Sequence, residues 1–306
     1  MKILILGVTA SGKGRLSFDL ASQINGEIVS IDSMKVYRRM DIGTAKPSPQ
    51  QRKLAKYHLI DIVEPSDPFT VSIFLEKARE TIEAIEDSGK NAVVSGGTAM
   101  YIKTLLYGLF EGPGSDEVIR GKLKKRIEDQ GSQKLHEEMT RVDPEAGERI
   151  HPNDARRIVR ALEVYEITGK PISSFQQQFS ADDTKDDWII IGLRREKEHA
   201  SSRINMRVKK MVDDGLVEEV KNLLAEEKPL TKQAAAAIGY AEIIDHLNGD
   251  ISLEEAIERI KINTRRFAKS QRTWFKTFKN VNWIDIAEDE SPEQILEKAL
   301  AIIQSQ

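Results

Sequence analysis

The first fourteen residues place the strongest constraint on what this chain can fold into. Residues 1–6 form a mainly apolar run that is too short for a helix and has the length of a buried strand. The run leads into Gly-Val-Thr-Ala-Ser-Gly-Lys-Gly at residues 7–14, and apolar side chains then recur at helical spacing over residues 16–24. A strand, a glycine-rich loop and a helix in this order predict a P-loop, which binds a di- or triphosphate through backbone amides, a lysine and a helix N-terminus. The alternative is a glycine-rich turn without a ligand, which the predicted flanking strand and helix disfavour.

The last position of the loop departs from the usual pattern. In G-x-x-x-x-G-K-[ST] the final hydroxyl ligates Mg²⁺, and here that position is Gly14. We therefore expect an intact phosphate-binding loop, Mg²⁺ as the cofactor with one protein ligand missing, and no residue assigned as a metal ligand. The residues predicted to bind the diphosphate, in part through the amides from Thr9 to Gly14, are Gly7, Val8, Thr9, Ala10, Ser11, Gly12, Lys13 and Gly14.

Composition limits the class of protein. With 306 residues, of which 40% are hydrophobic and 31% charged, the chain can bury a full core. The absence of cysteine excludes disulfides and thiolate catalysis and permits a cytoplasmic location, which we expect. No apolar stretch has the length needed to cross a bilayer. The formal net charge of −3 does not by itself predict nucleic-acid binding, so such a function would depend on local basic patches.

Further strands are predicted to end in polar residues. Residues 26–31 form the second strand and lead into Asp32, residues 58–63 form a short third strand, and residues 91–95 form a fourth that leads through two glycines into Thr98. Open α/β sheets place their chemistry at the carboxyl ends of strands. Asp32 is therefore either a carboxylate that faces the phosphate loop or an ordinary helix N-cap.

These elements predict an α/β fold, a P-loop NTPase-like parallel sheet flanked by helices, with an inserted helical subdomain. Residues 1–111 form the first part of the core, residues 112–187 the helical insertion, and residues 188–306 the second part with C-terminal helices. The apolar run that begins at Trp188 is predicted to return to the sheet as a strand.

Many strings, in order from residue 3 to about residue 276, resemble the tRNA dimethylallyltransferases. Members of that family move a prenyl group from dimethylallyl diphosphate to the exocyclic amine of the adenosine just 3′ of the anticodon. In the first half the strings are Val8 to Lys13, Asp32-Ser33-Met34, Val36-Tyr37, Asp41 to Pro47, His58 to Asp61, and Gly96-Gly97-Thr98 with Tyr101. In the second half they are Arg157 to Val164, Thr168-Gly169-Lys170, Arg203-Ile204, Arg207-Val208, Ile238-Gly239-Tyr240, Thr264-Arg265-Arg266, Ala268-Lys269, Gln271 and Thr273-Trp274.

The resemblance implies a set of catalytic residues. Lys13 and Arg207 would bind the diphosphate, Asp32 would accept the proton of the amine, and Thr98 would hold the base or the edge of the diphosphate. The implied partners are dimethylallyl diphosphate and the anticodon stem-loop of tRNA, and we expect a monomer.

The resemblance also implies contacts with tRNA. Arg156 and Arg160 lie four residues apart, so we expect them to share a helix face with no partner for their charges. The residues expected to contact tRNA by resemblance are Asp32, Ser33, Met34, Lys35, Thr98, Arg120, Arg156, Arg157, Ile158, Val159 and Arg160.

A second basic region follows near the C-terminus. There is no acidic residue between Glu258 and Asp285, and Arg265, Lys269 and Arg272 share one stripe of a predicted helix. Such a stripe in an acidic protein predicts a docking surface for a polyanion, so these three residues are added to the expected tRNA contacts. A solvated helix face is the alternative.

Four positions inside the motifs differ from the family pattern, namely Gly14, Lys35, Ala99 and Ser270. Because of these four differences, two other functions are considered for this chain. A small-molecule or nucleotide kinase would share the P-loop but would normally keep the hydroxyl that Gly14 lacks. A tRNA-binding paralogue without catalysis would bind stem-loops and leave them unmodified.

Overall fold

The computed structural model describes residues 1–109, 112–175 and 187–306. Within these residues the strands are β1 (Lys2–Gly7), β2 (Gly26–Ile31), β3 (Tyr57–His58), β4 (Asn91–Gly96), β5 (Trp188–Arg195) and β6 (Val281–Ile286). They form one sheet in the order β3-β2-β4-β1-β5-β6, and each neighbouring pair is parallel. The α/β fold predicted from the sequence is confirmed.

Helices connect the strands, as parallel pairing requires. Before the insertion they are α1 (Lys13–Gln23), α2 (Pro49–Leu54), α3 (Val71–Asp87) and α4 (Ala99–Tyr107). The next four are α5 (Glu117–Gln130), α6 (Ser132–Val142), α7 (Pro144–Arg149) and α8 (Ala155–Thr168), followed by a 3₁₀ turn at Ile172–Phe175. The last six are α9 (Lys197–Asp213), α10 (Leu216–Leu224), α11 (Lys232–Ala235), α12 (Tyr240–Leu247), α13 (Leu253–Phe275) and α14 (Pro292–Gln304).

The chain divides into two compact units, Met1–Leu106 with Asp186–Gln306, and Tyr107–Lys185. In the first unit, the strand residues Ile3 and Ile5 are fully buried and belong to one cluster with Leu20 of α1 and Ala299 of α14. Strands covered by helices on their faces are apolar in sequence, which explains the uninterrupted run at residues 3–6.

In the part of the second unit that the structure describes, residues 107–109 and 112–175, the regular elements are all helices. Its core includes Leu123 of α5, Leu135 of α6, and Ile158 with Leu162 of α8. Amphipathic helices that are individually marginal in water are stabilised by such a shared apolar core. No helix in the described parts of the chain is long and apolar enough to span a membrane.

The third strand is shorter than the sequence predicts. We expect a strand over residues 58–63, but β3 contains only Tyr57 and His58. Leu59 and Asp61 have φ angles of 59° and 56°, in the left-handed region, which is incompatible with an extended strand. A single parallel bridge between Tyr37 and Val63 follows.

Candidate active site

Four neighbouring strands bring Asp32, Thr98 and the P-loop to one edge of the sheet. In the order β2, β4 and β1, the carboxyl ends lead into Asp32, Thr98 and the P-loop, and β5 ends at Arg195, which was not among the predicted catalytic residues. Because all four strands are parallel, these residues meet at the same edge. The candidate site at this edge is therefore assembled from strands that are far apart in the sequence.

The P-loop, residues 7–14, has the backbone conformation of an anion-binding turn. Ala10 and Gly12 have φ angles of 62° and 106°, and helix α1 begins directly afterwards at Lys13. Two arginines hold the loop by its carbonyl groups. Arg203 Nε donates to the oxygen of Ala10 at 3.0 Å, and Arg195 Nε donates to that of Ser11 at 2.9 Å.

Two of the loop amides expected to bind the diphosphate have protein acceptors instead. The N–H of Thr9 donates to Gln271 Oε1 at 2.8 Å, and the N–H of Ser11 donates to the oxygen of Val8 at 3.1 Å. An amide that already donates to a protein acceptor is not free for a phosphate oxygen. The expectation that every amide from Thr9 to Gly14 serves the ligand stays a prediction, and for Thr9 and Ser11 it requires that these bonds are exchanged for bonds to the phosphate.

Three basic side chains surround the P-loop and Asp32. Lys13, Lys35 and Arg207 are each partly exposed to solvent but densely surrounded by protein atoms. Burial, followed by the charges of Lys35 and Arg207, lowers the pKa of Lys13 to about 7. Burial also lowers the pKa of Lys35 and of Arg207. The carboxylate of Asp32 opposes all three shifts, so a site of excess positive charge lies beside one carboxylate.

Asp32 is not the helix N-cap that the sequence left open, because residues 33–36 form a turn and no helix begins there. Its Oδ1 accepts hydrogen bonds from the amides of Met34 at 2.9 Å and Lys35 at 3.2 Å and so caps this turn. Oδ2 accepts no hydrogen bond from any residue that the structure describes, which leaves this oxygen available to a ligand. Thr98 lies on the same side, because its Oγ1 accepts from the amide of Ser33 at 3.0 Å.

The surroundings of Gly14 do not fit a metal ion held by the protein. Gly14 is exposed, and a Cβ built on it would meet no atom within 4 Å. The described residues contain no group of three or more His, Cys, Asp or Glu side chains that could hold a metal. The charges beside the loop are mostly positive, as the pKa shifts of Lys13 and Lys35 show. A hydroxyl at position 14 would have room, and its absence removes the usual protein ligand.

In the helical unit, two arginines expected to contact tRNA have internal partners. Arg160 donates to Glu163 Oε2 at 2.7 Å and to the oxygens of Pro113 and Gly114, and Arg120 pairs with Glu163 Oε1 at 2.9 Å. The expectation that Arg160 has no partner for its charge is wrong. Burial alone would raise the pKa of Glu163, but hydrogen bonds from Arg160 and the Asp116 amide, with the charge of Arg120, lower it.

The rest of the 156–160 stretch divides by helix face. Ile158 and Val159 are 0% and 6% exposed and pack in the core of the helical unit, so their side chains do not form an RNA-binding surface. Arg156 and Arg157 are exposed, and Arg157 forms a solvent-exposed ion pair with Asp154 at 3.2 Å. The prediction of tRNA contacts in this stretch is therefore restricted to these two arginines.

The basic stripe of α13 is less uniform than the sequence predicts. Lys269 is exposed, whereas Arg265 donates to Asn205 Oδ1 at 2.7 Å. Arg272 lines a cavity of about 880 Å³ that also has Val8 and Arg195 in its wall. Arg272 thus lies on the P-loop side of the helix, and a role of the stripe in RNA binding stays a prediction.

Two residues beside the P-loop were assigned no role from the sequence. Arg195 is the last residue of β5, and the rule that chemistry lies at the carboxyl ends of parallel strands could have found it. Gln271 of α13 is among the strings that resemble the family, but no role was assigned to it there. Its spacing from Ala268 and Phe275 places it on the buried face of the helix, and this spacing could have found it.

The chain is similar to proteins of one family over nearly its whole length. The family model "IPP transferase" matches residues 35–278. A tRNA dimethylallyltransferase of Geobacter metallireducens is 46% identical over 92% of each chain, and one of Caldanaerobacter subterraneus is 44% identical over 96% of this chain and 95% of its own.

Solved structures agree with these relatives. A tRNA isopentenylpyrophosphate transferase of Bacillus halodurans is 37% identical with a TM-score of 0.72, covering 99% of this chain and 97% of its own. A eukaryotic dimethylallyltransferase described as acting on tRNA is 28% identical with a TM-score of 0.81, covering all of this chain and 80% of its own. The P-loop, the carboxylate at the end of β2 and these similarities show that the chain belongs to the IPP transferase family, among the tRNA dimethylallyltransferases.

Proposed function

We propose that this chain transfers a dimethylallyl group from dimethylallyl diphosphate to N6 of the adenosine 3′-adjacent to the anticodon of tRNA. Family membership makes it a prenyltransferase whose acceptor is tRNA. The observation that carries the finer assignment is the placement of Lys13, Lys35 and Arg207 around Asp32 beside the P-loop. The cations of such a site can stabilise the leaving diphosphate, and its carboxylate can accept the proton of the amine. These are the two functions that the reaction needs.

The leaving group would be held on the P-loop side. As the bond between the allylic carbon and the diphosphate oxygen breaks, negative charge grows on that oxygen, and fixed cations stabilise it. Lys13 and Arg207 supply this charge, and the amides of Ala10, Gly12 and Gly14 supply donors at the N-terminus of α1. The loop is held in place by Arg195 and Arg203, so it is organised before the ligand arrives.

The acceptor amine would lie on the Asp32 side. The N6 nitrogen forms the new bond to the allylic carbon, and its proton passes to Oδ2 of Asp32, leaving N6-dimethylallyladenosine and diphosphate. Thr98 and Ser33 are joined at 3.0 Å and would orient the base beside Asp32. Because a stacked base cannot reach a site at the sheet edge, the adenosine would be flipped out of the anticodon loop.

We expect any Mg²⁺ to reach this site on the diphosphate oxygens, since Mg²⁺ bound to nucleotides and diphosphates keeps several waters. The residues around Gly14 do not fit a metal held by the protein, and the reaction described above requires no protein ligand to it.

We expect the protein to act as a monomer in the cytoplasm, where its tRNA substrate is found.

The deciding experiment uses the purified full-length protein, Mg²⁺ and labelled dimethylallyl diphosphate. Two anticodon stem-loops are compared that differ only in having adenosine or guanosine 3′ of the anticodon. We expect the mass increment of one dimethylallyl group on the adenosine stem-loop alone. Transfer from labelled ATP in a parallel reaction would instead support a kinase, and binding of the stem-loop without any mass change would support a paralogue that lacks catalysis.

A further inference from the structure

The side chain of Gln271 connects two loops of the site from the buried face of α13. It is 3% exposed, its Oε1 accepts from the N–H of Thr9 at 2.8 Å, and its Nε2 donates to the oxygen of Gly97 at 2.7 Å. Gly97 leaves the space for this contact, because a Cβ at that position would lie 2.4 Å from Nε2. Both ends of one neutral amide are therefore engaged, each on the backbone of a different loop.

The two loops belong to the two halves of the site. On the P-loop, the hydroxyl of Thr9 accepts a long hydrogen bond of 3.4 Å from Arg207. On the other loop, Gly97 precedes Thr98, whose Oγ1 accepts from the amide of Ser33, the residue after Asp32. A continuous series of bonds thus runs from the leaving-group side through Gln271 to the base side.

We propose that Gln271 is a positioning residue for prenyl transfer, which fixes the P-loop relative to the loop that carries Thr98. The inference rests on the proposed function, since it concerns how the two halves of that site are held in register. A transfer reaction needs the attacking nitrogen and the allylic carbon within about 3–3.5 Å and in line with the leaving oxygen, and displacement by about 1 Å can cost roughly 10²-fold in rate.

Loss of the connection should affect turnover more than binding. Gln271 bonds to protein backbone, so replacing it leaves Lys13 and Arg207 in place for the diphosphate and leaves the exposed arginines in place for RNA. The test compares Gln271→Met, which keeps the length of the side chain and removes both hydrogen bonds, with the wild-type protein. Single-turnover rates are measured with stem-loop and dimethylallyl diphosphate both saturating, and the two dissociation constants are measured separately.

For Gln271→Met we expect the rate constant to fall roughly 10- to 100-fold while both dissociation constants stay within about threefold of wild type. The matched control is Asn263→Leu. Asn263 lies on the same helix and its amide donates to Glu242 Oε1 at 2.7 Å, so this variant also loses an interhelical amide contact, away from the P-loop. We expect Asn263→Leu to lower thermal stability and to leave the rate constant unchanged.

A Gln271→Met protein that turns over within about twofold of wild type would overturn the inference and make Gln271 a residue of stability alone. A tenfold or larger rise in the dissociation constant of dimethylallyl diphosphate would also overturn it, in favour of direct ligand binding. Should Gln271→Met fail to fold, Gln271→Asn answers the same question, because it keeps the amide, is one methylene too short to bond to both loops, and adds no charge beside Lys13. A wild-type protein without prenyl transfer would contradict the proposed function itself, whereas a defect confined to binding contradicts only this inference.

Discussion

Two groups of basic side chains in this molecule surround a carboxylate, and their charges are balanced in opposite ways. Beside the P-loop, Lys13, Lys35 and Arg207 are all close to Asp32, and the pKa of each of the three cations is lowered, first of all by burial. Positive charge is in excess there, and bringing an anion into such a site relieves the repulsion among the cations.

In the helical unit the cations neutralise the carboxylate, and positive charge is not in excess. Glu163 is fully buried and binds Arg120, Arg160 and the amide of Asp116, and the pKa that is lowered is that of the acid. The two arginines are also partly exposed, at 30% and 27%. Removing one member of such a cluster is costly, and the cluster has little charge left for a ligand.

The difference shows why a count of arginines along the sequence does not identify a binding site. Arg160 and Lys35 both lie within motifs that resemble the family, yet one has acceptors of its own and the other has neighbours of like charge. The direction of the pKa shift, on the base in one cluster and on the acid in the other, separates the two cases.

The largest expected effect follows from removing the carboxylate at the P-loop. Asp32→Asn keeps the acceptor for the Met34 and Lys35 amides and removes the proton acceptor, so prenyl transfer should fall by roughly 10²-fold or more. Affinity for the stem-loop should stay near that of wild type. Rates and dissociation constants measured on the same preparation check this, and full turnover by the variant would return Asp32 to a purely capping role.

The corresponding change in the helical unit should affect stability instead. Glu163→Gln leaves Arg120 and Arg160 without their charged partner, and breaking a buried pair in this way costs about 3 kcal/mol, at the lower end of the usual range because both arginines keep some hydration. Denaturant unfolding of the variant measures this cost. The affinity for dimethylallyl diphosphate should not change, and a loss of that affinity would mean that the two clusters are not independent.

The pH dependence of binding tests the excess positive charge. With a pKa of about 7, the Lys13 side chain is mainly a charged ammonium below pH 7 and mainly a neutral amine above it. The affinity of the free protein for dimethylallyl diphosphate should therefore fall as pH rises above 7, approaching about tenfold per unit. In Lys13→Arg the charge persists, so the decline should disappear. Identical profiles for both proteins would assign the pH dependence to a group other than Lys13, either Lys35 or the ligand.

Exposed arginines of the helical unit should contribute to RNA binding without contributing to stability. The double variant Arg156→Gln with Arg157→Gln should weaken stem-loop binding and reduce its log–log salt dependence by roughly one unit per lost phosphate contact. Lys124→Gln with Lys125→Gln is the control, since these residues are also exposed cations of the same unit. Equal slopes in the two double variants would show that the arginines have no specific role.

The smallest effect concerns the metal. Gly14→Thr places a hydroxyl where the structure has free space, and the added oxygen should lower the Mg²⁺ concentration for half-maximal prenyl transfer by a few-fold. Helix propensity also slightly favours threonine over glycine at the start of α1. A titration of the initial rate with Mg²⁺ decides the matter, and an unchanged or higher requirement would mean that the metal does not approach position 14.

Much of the sheet and its loops could be predicted from local patterns, because the apolar runs of β1, β2, β4 and β5 are short and each is followed by glycine or a polar residue. The strand at Val281–Ile286 was not predicted. Only two of its six residues are buried, since it is an edge strand, and its apolar signal is correspondingly weak.

In the site, contacts between residues close in the sequence could be predicted, and contacts between distant residues could not. The pairing of Arg160 with Glu163, three residues further along α8, is local and could have been noticed from spacing. The pairing of Thr9 with Gln271 joins residues 262 positions apart, and its acceptor is a neutral amide. Helical spacing from Ala268 and Phe275 places Gln271 on the buried face of α13, but nothing in the sequence identifies Thr9 as its partner.

The strand order has a consequence for the chain while it is being synthesised. β1 lies between β4 and β5, and β5 begins at residue 188, after the whole helical unit. Until β5 leaves the ribosome, one side of the apolar β1 remains an unpaired edge, and unpaired edges favour association with other chains. At roughly 5–20 residues per second, the hundred or so residues between β4 and the end of β5 keep that edge open for about 5–20 s. During that interval the open edge of β1 favours association with other chains, and pairing with β5 removes it.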